Sequence, residues 1–244
     1  MSTYRLDIAY DGADFSGWAV QPEKRTVQGE LEEALGGVLR EPTRLICAGR
    51  TDAGVHALGQ VASFETEREV PGTLRRALNA LTGPDLAIAA LEPAPDGFNA
   101  RWSATSRRYR YRLETASVPN PFERGRALHW PYPFDRALAE RCAEALRGVH
   151  DFTAFTPTDT RHRHFHREIL DAGWTEEGGS ILAFEIEADA FLRGMVRALV
   201  GTILEVAGGR RDLGDFERLL AGGRRPEAGD SVAAHGLYLL RVAY

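Results

Sequence analysis

The chain twice alternates apolar and polar residues in the manner of a half-buried strand, and each time a similar succession of patterns follows. Residues 3 to 10 set Tyr4, Leu6, Ile8 and Tyr10 against Arg5, Asp7 and Ala9. Behind them Val27, Leu31, Leu35 and Leu39 recur every four residues, an amphipathic helix that Thr26 can cap and Pro42 stops. Short strand patterns at 43 to 48 and 58 to 66 come next. A second helix on Leu74, Leu78 and Leu81, closed by Gly83-Pro84, and a strand in LAIAALEP complete a βαββαβ order.

The second half repeats it. TSRRYRYRLETA alternates Tyr109, Tyr111 and Leu113 against Arg108, Arg110 and Arg112, and Leu138, Cys142 and Leu146 share one helical face. Strands are expected near 165 to 175 and 180 to 188. An almost wholly apolar helix is expected over about 190 to 207, then a short helix in DFERLLAGG and a closing strand in HGLYLLRVAY. Two such units in tandem have the split-βαβ order, so the expected fold is α+β: two ferredoxin-like βαββαβ units whose mostly antiparallel sheets merge into one central sheet. Prolines and glycine in EPAPDGFNARWS punctuate the join, which divides the chain into subdomains 1–98 and 99–244.

With 244 residues and 43% hydrophobic content, the chain can bury a core without covalent staples. Cys47 and Cys142 lie far apart with no CxxC spacing, which argues against a disulfide framework or a zinc site. The N-terminal MSTYRLDIAYDG has a strand pattern and no signal core, and no apolar run approaches the roughly 20 residues of a membrane span. A cytoplasmic protein with no membrane partner is expected. The net charge of -5 argues against a generic nucleic-acid binder, but the distribution of charge does not. Lys24 is the only lysine, and Arg101, Arg107, Arg108, Arg110 and Arg112 occur without an acid until Glu114.

Three constellations could carry chemistry. CAGRTDAGVHALGQ places Asp52 in a strand-to-strand loop between Gly49 and Gly54, with Arg50 beside it; the carboxylate either closes its own turn or is presented to a substrate. In FLRGMVRALVG, Arg193 and Arg197 fall four apart on an otherwise apolar helix, so at least one guanidinium should be drawn inward toward an acid, for which Asp52 is a candidate. Both could instead reach solvent. Tyr109, on the arginine-rich strand, is either core or an aromatic platform of the kind on which RNA bases stack. His162, His164 and His166 share a face if extended, yet no cysteine or carboxylate nearby completes a metal set. No metal is expected. No GxGxxG opening a helix, Walker loop, GxSxG or HExxH is present, so no cofactor is expected either.

Taken together, GRTDAGVHALGQVASF, FNARWSATSRRYRYRL, HDFTAF, FLRGMVRALVGTILEVAGG and HGLYLLRVAY resemble the tRNA pseudouridine synthase A family, in order, from residue 3 to the C-terminus. The resemblance implies a cofactor-free isomerase, a homodimer, that converts uridines of the tRNA anticodon stem-loop to pseudouridine. By position, Asp52 matches the family's nucleophile and Arg50 the basic residue of the same motif. Tyr109 matches the tyrosine that stacks on the target uracil, and Arg197 the arginine that pairs with the aspartate. Arg101, Arg108 and Arg110 are the expected RNA contacts. The rival reading is a non-catalytic RNA-binding protein on the same fold.

Overall fold

The first alternating stretch is β1 (Ser2–Tyr10), whose Leu6, Ile8 and Tyr10 are buried while the residues between them stay half exposed. A computed structural model describes residues 1–160 and 162–244, and in it the chain forms two compact units. One is Met1–Thr105 with Tyr238–Tyr244; the other is Ser106–Leu237. The expected join at residues 98 and 99 therefore lies inside the first unit. Among the described residues, no helix is long and apolar enough to cross a membrane.

In the first unit, α1 (Val27–Leu39) begins at Thr26, whose hydroxyl accepts the Gly29 N–H, and buries Val27, Leu31, Leu35 and Leu39. Each such side chain contributes about 1.5–3 kcal/mol of transfer free energy. Next come β2 (Ile46–Cys47), β3 (His56–Thr66), α2 (Leu74–Leu81) and β4 (Leu86–Pro93). β1 pairs antiparallel with β3 on one side and β4 on the other, and β2 adds to β3 opposite Ser63 and Ala62. That is the ferredoxin-like order 4-1-3-2. β2 is shorter than the pattern at 43 to 48 implies because the Leu45 N–H donates to the Glu32 carboxylate at 2.8 Å instead of to a strand. β3 starts two residues earlier than expected, at His56.

The second unit opens with β5 (Ser106–Glu114), which buries Arg107, Tyr109, Tyr111 and Leu113 on one face. β6 (Leu128–His129) runs parallel to its end. Then follow α3 (Arg136–Ala145), capped by the Asp135 carboxylate, β7 (Gly148–Asp151), β8 (His166–Gly178) and β9 (Ile181–Ala188). The strand order is β5-β9-β8-β7, all antiparallel. β6 and β7, two and four residues long, are too short to show a period and were not expected.

α4 (Met195–Ala207) buries every residue except Arg197 and Glu205. It starts five residues later than expected because Gly194, at φ +69°, turns left-handed and breaks the helical run. α5 (Leu213–Leu220) is capped by Asp212. The closing strand, β10 (Leu237–Ala243), runs parallel to β3, pairing Tyr238 with His56 and Leu239 with Ala57, and from Tyr238 onward it is counted with the first unit. Gly59 permits that approach, since a Cβ there would lie 2.3 Å from the Leu240 carbonyl oxygen.

Candidate active site

The loop between β2 and β3 carries Asp52. Its turn is closed by main-chain groups, the Val55 N–H donating to the Asp52 carbonyl at 3.2 Å, with Gly54 at φ +78° in the position that a type II turn reserves for glycine. Several groups around it are held from below. Gln60, fully buried in β3, donates from Nε2 to the Gly49 carbonyl at 2.7 Å. The buried Tyr10 hydroxyl lies 2.7 Å from Thr51 Oγ1, and the Thr51 carbonyl accepts the Trp18 N–H at 3.0 Å. Thr51 is buried, Asp52 half-buried and Ala53 exposed, so the chain emerges from the core at the carboxylate.

A second loop supports the first, and the sequence reading did not single it out. Residues 11 to 18 (DGADFSGW) bury Phe15 and Trp18 against Tyr10, and the Phe15 carbonyl accepts the Gly54 N–H at 3.4 Å. Two glycines let this loop reach the Asp52 turn. A Cβ on Gly12 would stand 2.0 Å from the Val55 carbonyl oxygen, and one on Gly17, which also has φ +92°, would stand 2.9 Å from that of Thr51. The Gly12 N–H donates to Nδ1 of His56, a buried ring that stacks on Tyr238 at 4.6 Å. The available signal was a pair of glycines interleaved with two large aromatics directly after a strand.

Arg50 and Arg101 are exposed. Both guanidiniums act on the Cys47 thiol: burial pushes its pKa up to about 12, against the opposing pull of Arg50 and then Arg101. The two cations thus share the neighbourhood of the Asp52 hairpin, and Cys47 stays a protonated thiol.

In the second unit, Tyr109 is 7% exposed and meets the edge of Phe191 with ring centroids 5.0 Å apart. Tyr111 is fully buried and donates to the Ala233 carbonyl; burial raises its phenol well above the usual range, with Arg197 pulling the other way. Arg197 is therefore the inward arginine of α4, and its Nε donates to the Val232 carbonyl at 2.7 Å. Arg193 lies at the surface, ion-paired with Asp159. The Val232 carbonyl is in place because residues 229 to 232 sit directly on α4, where Gly201 has no side chain. A Cβ there would fall 1.8 Å from the Asp230 carbonyl oxygen. Thr202 anchors the same segment by accepting the Gly229 N–H at 3.0 Å.

Arg108 and Arg110 were expected to contact RNA. They project from the face of β5 opposite Tyr109, into a ladder of carboxylates. Arg108 pairs with Asp171, Glu185 and Glu187, and Arg110 with Glu177 and Glu185. Burial alone would raise the Glu185 carboxyl, but Arg110 and Arg108 outweigh it and hold the group below the usual carboxylate range. His162, His164 and His166 are exposed, and among the described residues no three His, Cys, Asp or Glu side chains gather as a metal site would require.

A family profile described as tRNA pseudouridine synthase matches residues 8–103 and 142–244, segments that include Arg50, Asp52, Arg101 and Arg197, with Tyr109 between them. The tRNA pseudouridine synthase A of Latilactobacillus sakei is 41% identical over 244 residues, covering 99% of this chain and 98% of that protein. Its counterpart in Lacticaseibacillus casei is 40% identical with both proteins covered in full, and that of Frankia casuarinae is 45% identical over 98% of this chain and 88% of its own length. A profile match running through the Asp52 hairpin, and relatives this similar from end to end, make the chain a member of the tRNA pseudouridine synthase family.

Proposed function

We propose that this protein isomerises uridine to pseudouridine in the anticodon stem-loop of tRNA, as a cytoplasmic homodimer without a cofactor. The observation that carries the reading is the half-buried Asp52 carboxylate on a turn whose neighbours are fixed by Tyr10, Gln60 and the 11 to 18 loop. A group that must act on one atom of a substrate gains from being held before the substrate arrives.

The reaction breaks the C1′–N1 glycosidic bond, turns the uracil over and forms a C1′–C5 bond; N1 gains a proton and C5 gives one up. Asp52 acts as the nucleophile that captures either C1′ or the ring while the bond is broken. Arg197, drawn inward on α4, is the partner that keeps that carboxylate anionic, and Tyr109 is the surface on which the detached base stacks. The target base lies inside a folded stem-loop, so it must be flipped out, and contacts to the RNA backbone offset the few kcal/mol that flipping costs. We assign those contacts to Arg50 and Arg101, which are exposed, rather than to Arg108 and Arg110, which are half-buried among carboxylates. Affinity for tRNA should then fall steeply with salt.

The test is tritium release from tRNA labelled at uridine C5. Release in step with pseudouridine formation is expected. Tight tRNA binding with no release would leave the non-catalytic RNA-binding protein as the reading.

A further inference from the structure

Of the four tryptophans, Trp18 and Trp174 are 1% and 5% exposed, whereas Trp102 is 75% exposed. It sits on the turn that follows β4, in FNARWSAT. The turn is closed by backbone and small polar groups. The Asn99 side chain accepts the N–H groups of Arg101 and Trp102, Ser103 bonds back to Asn99 in both directions, and the Ala100 N–H and carbonyl are taken by Ser63 and Tyr244. Ala100, fully buried, packs with Ala48 and Val61, and Ala48 is the residue from which the Asp52 loop departs. The turn is thus a rigid bracket on the base of the Asp52 hairpin, and the indole stands outward from it.

Arg101 lies over the indole, its guanidinium carbon 4.5 Å from the ring centroid. With the ring so covered, three-quarters of the residue is still open to solvent. Arg101, like Arg50, also acts on the buried Cys47 thiol at the end of β2, so the cation over the ring belongs to the surroundings of the Asp52 hairpin. An indole with a guanidinium over one face and most of its surface open to solvent matches the flat base and charged phosphate of one unpaired nucleotide.

From this geometry we infer that Trp102 is a stacking platform for an unpaired base flanking the target uridine, with Arg101 fixing the ring and neutralising the adjacent phosphate. The inference deepens the tRNA isomerase reading and rests on it. The platform binds and positions RNA; it takes no part in bond breaking. It therefore acts on KM and leaves kcat alone.

The experiment compares the full-length protein with Trp102→Ala and Trp102→Phe on an anticodon stem-loop RNA labelled at uridine C5. Stacking of one base is worth about 5- to 150-fold in affinity. Trp102→Ala should raise KM about tenfold or more with kcat within about twofold, and Trp102→Phe should restore most of the affinity. In parallel, saturating RNA should shield part of the tryptophan emission from acrylamide, and that shielded part should vanish in Trp102→Phe. Unchanged KM in Trp102→Ala, or emission equally quenched with and without RNA, while the wild type still forms pseudouridine, would overturn the inference alone. A wild type that forms no pseudouridine would overturn the isomerase reading and the inference with it.

Discussion

Replacing Tyr10 by Phe removes one oxygen from beneath the Asp52 turn and little else. The ring keeps its contacts with Phe15 and Trp18, at centroid distances of 6.3 Å each. The hydroxyl lies 2.7 Å from Thr51 Oγ1 and 3.4 Å from Gln60 Nε2. Gln60 has its stronger bond elsewhere, to Gly49 at 2.7 Å, so the loss falls on Thr51, next to Asp52. Leaving a buried hydroxyl unpartnered costs about 1–3 kcal/mol. In a chain of this size each kcal/mol lowers the melting temperature by about 2–4 °C. If that bond also holds the carboxylate in its reactive position, kcat should fall about tenfold, the equivalent of about 1.4 kcal/mol. Single-turnover tritium release at saturating tRNA, read beside a thermal melt, separates the two effects. Adding Thr51→Val to Tyr10→Phe should cost little more than the worse single change, because both remove the same bond. A lowered melt with unchanged kcat would refute the positioning argument.

Three further expectations follow from named contacts. Gly201→Ala should destabilise the second unit by about 1–3 kcal/mol and lower kcat more than it raises KM, because the new methyl meets the Asp230 carbonyl and lifts Val232 from Arg197; an unchanged melt would show that residues 229 to 232 yield freely. Arg101→Ala should reduce the salt dependence of tRNA binding by about one unit of slope while Arg108→Ala leaves it unaltered, since Arg108 faces carboxylates; equal slopes in the two variants would restore Arg108 to the RNA. In alkali, burial keeps Cys47 and Cys142 protonated up to about 12, whereas an unfolded thiol ionises near about 8.5, so the unfolded state releases protons first and stability should fall as pH rises through that window. A melting temperature that stays flat across it, in wild type and in Cys47→Ala alike, would contradict this.

Local periodicity was enough to read most of the elements. Thr26 is the helix cap it promised to be, LAIAALEP is a strand from end to end, and the alternation of Tyr109 and Tyr111 against Arg108 and Arg110 separates two faces of β5 as expected. What the pattern could not supply was the identity of each side chain's partner. Arg108 and Arg110 look available in a window with no acids, but their carboxylates come from residues 171 to 187, distant in sequence and adjacent in the sheet. β10 completes the repeat in sequence, but its alternation gives no sign that it also runs parallel to β3, a strand far earlier in the chain and beside it in the sheet. The supporting loop at 11 to 18 was invisible for a related reason. Its contribution lies in backbone approaching backbone at Gly12 and Gly17, and a glycine in isolation does not say what stands beside it.

The central claim is that the Asp52 carboxylate performs the chemistry and is not there to hold the RNA or the fold. It is tested most directly by counting pseudouridine in tRNA after a single turnover with excess Asp52→Ala. The account predicts none, from a protein that melts normally and binds tRNA with nearly wild-type affinity. Pseudouridine formed by that variant at any measurable rate would contradict it.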